Sequence, residues 1–403
     1  MALRFAASFV LFAELATASS VLSHEALIDV AWDGSIKPIL QKRFPLASAD
    51  DLRKAHAYAY GGAIVQDLGY YPLGNHFFSD LTHYIRSGDF IENLLTEAGE
   101  LNELAFAIGA MAHYAGDHAA HSIAVNRSVA LLYPKLRRKY GDFVTYENSP
   151  AAHLKVEFGF DVVQVAQRHY APQAYHDFIG FEVAKPLLER AFLRTYGLDL
   201  GEAFGNVDLA LGSFRFSVAQ VVPEMTKAAW SARKREISQA FPGTSRKTFL
   251  YRLPHASYEK EWGTQHRHPG FFARLIGFFF RWLPKVGPLK AFDFNLPTPQ
   301  TEAWFVESFR QSQARYEELL NFVRVGASPR IPNENFDTGK PVHWGDYGLA
   351  DRAFAKLVHQ LAGKQFRGVD GKMRQKLLEF SSAQLTLPGE LKADLAALEA
   401  VTP

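Results

Sequence analysis

The sequence predicts an all-α protein, a multi-helix bundle, and three observations carry that prediction. Apolar residues recur at helical spacing over long runs, above all ELNELAFAIGAMAHYAGDHAAHSIAVNRSVALLY at residues 100–133. No stretch of useful length alternates with the two-residue period of a strand, and no internal repeat is visible. With 48% hydrophobic and 14% aromatic residues in 403, the chain can bury a large core, which excludes disorder. A net charge of only +2 gives no reason to expect a nucleic-acid partner. There is no cysteine, so no disulfide framework or thiolate metal site is possible, and any metal must be held by nitrogen and oxygen.

Taken in order, residues 1–18 read as a signal peptide: Arg4, a short apolar stretch, then Ala16-Thr17-Ala18 before the cut. Export of a cysteine-free chain predicts a secreted or periplasmic, bacterial protein. LSHEALIDVAW opens the first helix with His24; Glu25 makes HExxI rather than HExxH, which gives no zincin protease. From Ser48-Ala49-Asp50 a helix should run to a stop at Gly69, with Asp50 as N-cap and Asp67 closing it. A Gly/Pro/Asn-rich loop then leads to His76, with His83 as the runner-up for the same role. The central helix carries HYAGDHAAHS, and AAHLKVEFGF forms a further apolar helix.

Residues 160–240 continue as amphipathic helices that cover the preceding ones. Residues 240–300 differ, being turn-rich and polar before FFARLIGFFFRWLPKVGPLKAF, where Arg274, Arg281 and Lys285 oppose Phe278, Phe279, Phe280 and Trp282. That pattern predicts contact with a membrane surface through residues 270–291. A long helix over TEAWFVESFRQSQARYEELLNFVRVG completes a catalytic domain spanning 19–330. Residues 331–403 read as linker followed by short charged helices, without chemistry of their own.

The chemistry concentrates in the first 160 residues. His113, Asp117 and His121 recur at i, i+4 and i+8, drifting about 40° per step, so they share one helical face. His118 sits about 100° away from that stripe and is left out. Any one histidine on an apolar helix reads as a hydrogen-bonded core residue. Here, however, His153 and Glu157 repeat the i, i+4 spacing, and His24, Asp67 and His76 supply further donors. These eight groups exceed a single tetrahedral site and point to a cluster of two or three ions, for which zinc suits imidazole and carboxylate.

The order His24, then Asp67 with His76, then H-x-x-x-D-x-x-x-H, then H-x-x-x-E resembles the zinc-dependent phospholipase C family over about residues 22–160. That family includes the bacterial phospholipases C and the alpha-toxin catalytic domain. The last histidine of the central motif lies two residues closer than in the bacterial enzymes, and this variant is similar to the glycosylphosphatidylinositol-specific phospholipase D catalytic domain. The resemblance implies a phospholipase C-like bundle around a buried di- or trinuclear zinc site, acting on phospholipid at the glycerol-side phosphate ester through a metal-activated water. It implies that Asp67, His76, His113 and Asp117 hold one zinc, His121, His153 and Glu157 a second, and His24 with a bridging Asp117 the third. Asp67 is on the same ground the proton acceptor. Bacterial members use an N-terminal tryptophan at the third site, whereas cleavage after Ala18 would leave Ser19 in front. The alternatives are a phospholipase D-like or nuclease phosphodiesterase, with Tyr70, Tyr71, Phe77 and Phe78 available to stack bases, and a non-enzymatic membrane-binding protein with structural zinc.

Overall fold

The computed structural model describes residues 21–167, 181–217, 230, 234–239, 295–327, 329–382 and 387–400. The leader at 1–18 and the basic-aromatic stretch at 270–291 lie outside these residues, as does the expected insertion up to residue 294. Among the described residues the chain is all-α, with no strand and a single isolated bridge between Asn335 and Lys340. None of the described helices is long and apolar enough to cross a membrane.

Helices α1 (Val21–Ala31) and α2 (Lys37–Arg43) flank a π turn at Trp32–Ile36. Then α3 (Ala49–Ala63) tightens into a 3-10 turn, Val65–Tyr70, followed by α4 (His76–Tyr84), α5 (Ser87–Glu97) and α6 (Leu101–Ala119). A second π turn, Ala120–Val125, leads to α7 (Asn126–Leu132), α8 (Pro134–Tyr140) and α9 (Pro150–Gln167). The remainder comprises α10 (Lys185–Tyr196), α11 (Leu200–Phe204), α12 (Val207–Phe216), α13 (Pro299–Arg324), α14 (Gly348–Gly363), α15 (Gly371–Ser381) and α16 (Gly389–Ala400).

The core is built on α6, buried continuously from Leu104 to Asp117 because its small apolar residues leave no polar face to solvate. Helices α3 and α13 pack along it. The α3–α6 crossing is close because glycines interlock: a methyl on Gly62 would overlap the Phe106 carbonyl, and one on Gly109 the Ala59 carbonyl. The buried Gln66 amide ties the turn after α3 to α6 by donating to the Ala110 carbonyl at 3.0 Å.

Three local expectations are corrected. The α3 cap is Ser48, not Asp50: Ser48 Oγ accepts from the Asp51 amide at 3.1 Å while Asp51 Oδ2 accepts the Ser48 amide at 3.0 Å. The helix stops at Ala63 rather than Gly69, so Asp67 sits inside the 3-10 turn. Gly69 serves a different need, since a side chain there would overlap the Asn75 carbonyl. The expected linker at 331–347 is not a surface connection: Ile331, Phe336 and Tyr347 belong to the same apolar core as α1, α3 and α6.

The Gly109 contact predicts a stability cost that can be measured. Gly109→Ala places a methyl against backbone that cannot swing aside, so urea unfolding should show a loss of about 1–3 kcal/mol. A change under about 0.5 kcal/mol, the range of an inert surface substitution, would mean that the α3–α6 crossing is looser than described.

Candidate metal centre

Five separate segments deliver side chains to one buried point. α1 brings His24, the 3-10 turn Asp67, α4 His83, α6 with its π turn His113, Asp117 and His121, and α9 His153 and Glu157. All are buried except His121, which is partly so. Three groupings form, each with donor atoms within 4.8 Å of one another: His24, His113 and Asp117; Asp67, His83 and His113; His121, His153 and Glu157.

Asp117 joins them. Its Oδ1 lies 3.1 Å from His24 Nε2, and its Oδ2 lies 3.2, 3.5 and 3.7 Å from Nε2 of His113, His83 and His121. Asp67 Oδ1 is 3.3 Å from His83 Nε2, and Glu157 Oε1 is 3.4 Å from His121 Nε2 and 3.3 Å from His153 Nδ1. The widening of the backbone at Ala120–Val125 occurs where His121 emerges, and such π turns gather at functional sites.

His76 does not join this point. It is exposed at the first residue of α4, edge-on to Tyr70 with ring centroids 5.3 Å apart. His83 stands in the group instead. The two share a helical stripe, being seven residues apart, but the rise puts His76 about 10 Å further back along the axis. His118, off the stripe as expected, pairs with Glu334 at 3.2 Å and receives Arg315 at 3.1 Å.

The hydrogen bonds test whether these residues fit a metal. A carbonyl can only accept, so His113 Nδ1 donates to the Ala63 carbonyl at 2.9 Å and His83 Nδ1 to the Ser79 carbonyl at 2.8 Å. Their Nε2 atoms are thereby turned toward each other, 3.3 Å apart, with Asp67 and Asp117 alongside. His153 is held the other way round, Nε2 to Asn126 Oδ1 at 2.6 Å, leaving Nδ1 for Glu157. Among the described residues, buried Glu157 Oε2 has no hydrogen-bond partner. Converging acceptors in a dry setting require a cation, and ring nitrogens fixed from behind are the usual support of a zinc-binding imidazole.

The electrostatics agree. Burial opposes a charged ring at His121, yet Asp117, Asp337 and Glu157 outweigh it and push the imidazole up to about 10. At His83 burial is likewise overcome, by Asp117 and Asp67, and the ring rises to about 9. Burial would raise Asp117, but His113, His121 and His24 hold it well below the ordinary carboxylate range.

The centre lies on a pocket bounded by α1, α6, α9 and α13. Its polar side includes His24, Asp117, His121 and Glu157, and its apolar side includes Leu27, Phe160, Phe305 and Phe309. Two contributors were not legible in the sequence: Asn126 behind His153, and Asp337 behind His121 at 3.2 Å. The Asn335-x-Asp337-x-Gly339 pattern signals a turn, but nothing in it signals proximity to the histidines.

The family model of zinc dependent phospholipase C matches residues 23–206. No curated protein and no solved structure matches the chain significantly.

Two outcomes follow from this geometry. His83→Ala should remove zinc from the purified protein whereas His76→Ala should leave the metal content unchanged; the reverse result would restore His76 to the site. Because the metal-free rings of His83 and His121 stay protonated up to about 9 and 10, zinc must displace their protons. Binding in weak buffer at pH 7.5 should therefore release protons, and affinity should rise with pH. A titration without proton release contradicts the protonated pair.

Proposed function

We propose that this chain, which over residues 23–206 matches the family model of zinc dependent phospholipase C, is a phosphodiesterase that hydrolyses phospholipids at the glycerol-side phosphate ester. One observation carries the reading. Four residues of the cluster, His24, Asp117, His121 and Glu157, line a pocket together with Leu27, Phe160, Phe305 and Phe309, so donors suited to a metal-bound phosphate have apolar side chains beside them.

Asp67, His83 and His113 would hold one zinc, His121, His153 and Glu157 a second, and His24 a third, with Asp117 shared among them. Zinc bound there supplies Lewis acidity, making water a usable nucleophile near neutral pH and offsetting charge on the phosphate oxygens. The protein's own part is to aim and to move a proton. Asp67, whose carboxyl is held below the usual range in the metal-free protein by His113 and His83 against its burial, would accept the proton of the attacking water. As the water oxygen bonds to phosphorus, the bond to the glycerol oxygen breaks and that oxygen takes the proton that Asp67 had accepted, giving diacylglycerol and a phosphorylated headgroup. The apolar wall keeps bulk water from the bound ester.

The nuclease alternative loses its stacking surface, because Tyr70, Tyr71, Phe77 and Phe78 are all buried, at 9% exposure or less. Phe78 instead stacks on Phe192 within the core. Residues 270–291 fit a membrane-facing role by composition alone.

Incubated with phosphatidylcholine vesicles, the full chain should release diacylglycerol and phosphocholine, lose this activity to a zinc chelator and regain it with added zinc. Asp67→Asn should lower turnover by about 10²–10⁴-fold. Phosphatidate with free choline would place cleavage on the other side of phosphorus. A zinc-loaded protein inert toward every phospholipid headgroup and toward single-stranded nucleic acid would leave the cluster a structural role.

A further inference from the structure

We propose that Asp337 is a positioning residue of the metal centre, fixing which nitrogen of His121 and of His153 faces the metal. The catalytic unit then extends beyond the family-matched span at least to Asp337. This inference rests on the metal-centre reading above.

Asp337 is 1% exposed and reaches the centre from the turn between α13 and α14. Its Oδ2 is committed to the Tyr146 amide at 2.8 Å and the Tyr347 hydroxyl at 2.6 Å. Its Oδ1 lies 3.2 Å from His121 Nδ1. An ionised carboxylate only accepts, so that nitrogen carries a hydrogen, and Nε2, beside Glu157 and Asp117, is the nitrogen left to face the metal. The backbone carbonyl of the same residue accepts from Asn126 Nδ2 at 2.7 Å. The Asn126 amide is thereby oriented with Oδ1 toward His153 Nε2, 2.6 Å away, which puts the hydrogen on Nε2 and frees Nδ1 for Glu157. One residue thus sets opposite tautomers on two neighbouring histidines, each with the correct nitrogen toward Glu157.

The turn is stiff enough to do this. Asn335 Oδ1 accepts the Asp337 and Thr338 amides at 2.9 and 3.2 Å, and the Asn335 amide donates to the Lys340 carbonyl at 2.8 Å. Gly339, at φ +68°, lies where a side chain would press on Ser122 of the π turn that carries His121. On the other side, the Phe336 amide donates to the His83 carbonyl at 3.1 Å. Two adjacent residues of one turn therefore brace both ends of the centre.

Zinc affinity of the full chain, measured by competition with a chromophoric chelator, tests the assignment. Asp337→Asn is isosteric and should weaken one zinc by about 10–100-fold while the rest bind as before. Tyr347→Phe removes a hydrogen bond from the same carboxylate without touching His121, and should bind zinc like the wild type. Nitrogen-15 histidine spectra of the zinc-loaded wild type should show a protonated Nδ1 on His121 and a protonated Nε2 on His153. Wild-type zinc affinity in a folded Asp337→Asn protein overturns the proposal. So do the reversed tautomers, and that measurement decides the matter alone if the variant does not fold. A wild type that takes up no zinc sinks the metal-centre reading itself, which is a different failure.

Discussion

The Asp117 carboxylate is the constraint on which the rest of the structure turns. Four imidazoles, those of His24, His83, His113 and His121, close on its two oxygens within 3.1 to 3.7 Å. Leaving such a group unpaired in the interior is costly, so each segment that carries a partner must pack tightly enough to deliver it. Small residues make that packing possible. Gly109 lets α3 approach α6, and at Gly116 a side chain would crowd the His24 ring and Leu27. The composition of α6, which looks like plain helix-forming sequence, is a requirement of the centre it carries.

What the sequence disclosed, and what it withheld, divides by distance along the chain. His113, Asp117 and His121, or His153 and Glu157, are related by helical period, a local rule that holds before any tertiary structure is known. The all-α architecture was legible for the same reason. Loop-to-helix placement was less so. His76 and His83 lie on one stripe of α4, and periodicity does not say which end of that stripe meets α6. Tyr70 helps to decide it, edge-on to His76 and 5.5 Å from the His83 ring. Asp67 was recognised as a residue, but its 3-10 setting was not, because Gly69 signals a stop whether it ends a helix or admits a close backbone neighbour. Asp337 was out of reach entirely. It meets His121 across 216 residues, from a stretch whose turn-rich composition reads as linker.

These separations have an energetic meaning. The histidines and carboxylates of the centre are joined by loops of tens to hundreds of residues, and ordering them together costs chain entropy that local helix formation does not recover. A cation binding the folded arrangement and not the unfolded chain stabilises the fold by mass action. The strongest coupling is expected where the ligands come from the most distant segments, namely between α1, α4, α6 and α9. Protons on His83 and His121 serve as partial substitutes in the metal-free protein, which is why burial fails to neutralise those rings.

The same geometry separates two kinds of residue within the pocket. The metal-facing donors come from the span between His24 and Glu157, inside the family-matched region. The apolar wall takes Phe305 and Phe309 from α13, and the brace behind His121 takes Asp337 from the turn that follows. Both lie beyond residue 206, where the family match ends. The surroundings of the donors are thus encoded in part outside the segment that supplies the donors, with Leu27 and Phe160 inside it. Changes in α13 can reshape the apolar wall while leaving every donor atom in place, whereas a change in α6 disturbs donors and packing together. Substrate preference is therefore the property that this architecture leaves most free to vary, and metal binding the one it holds most tightly.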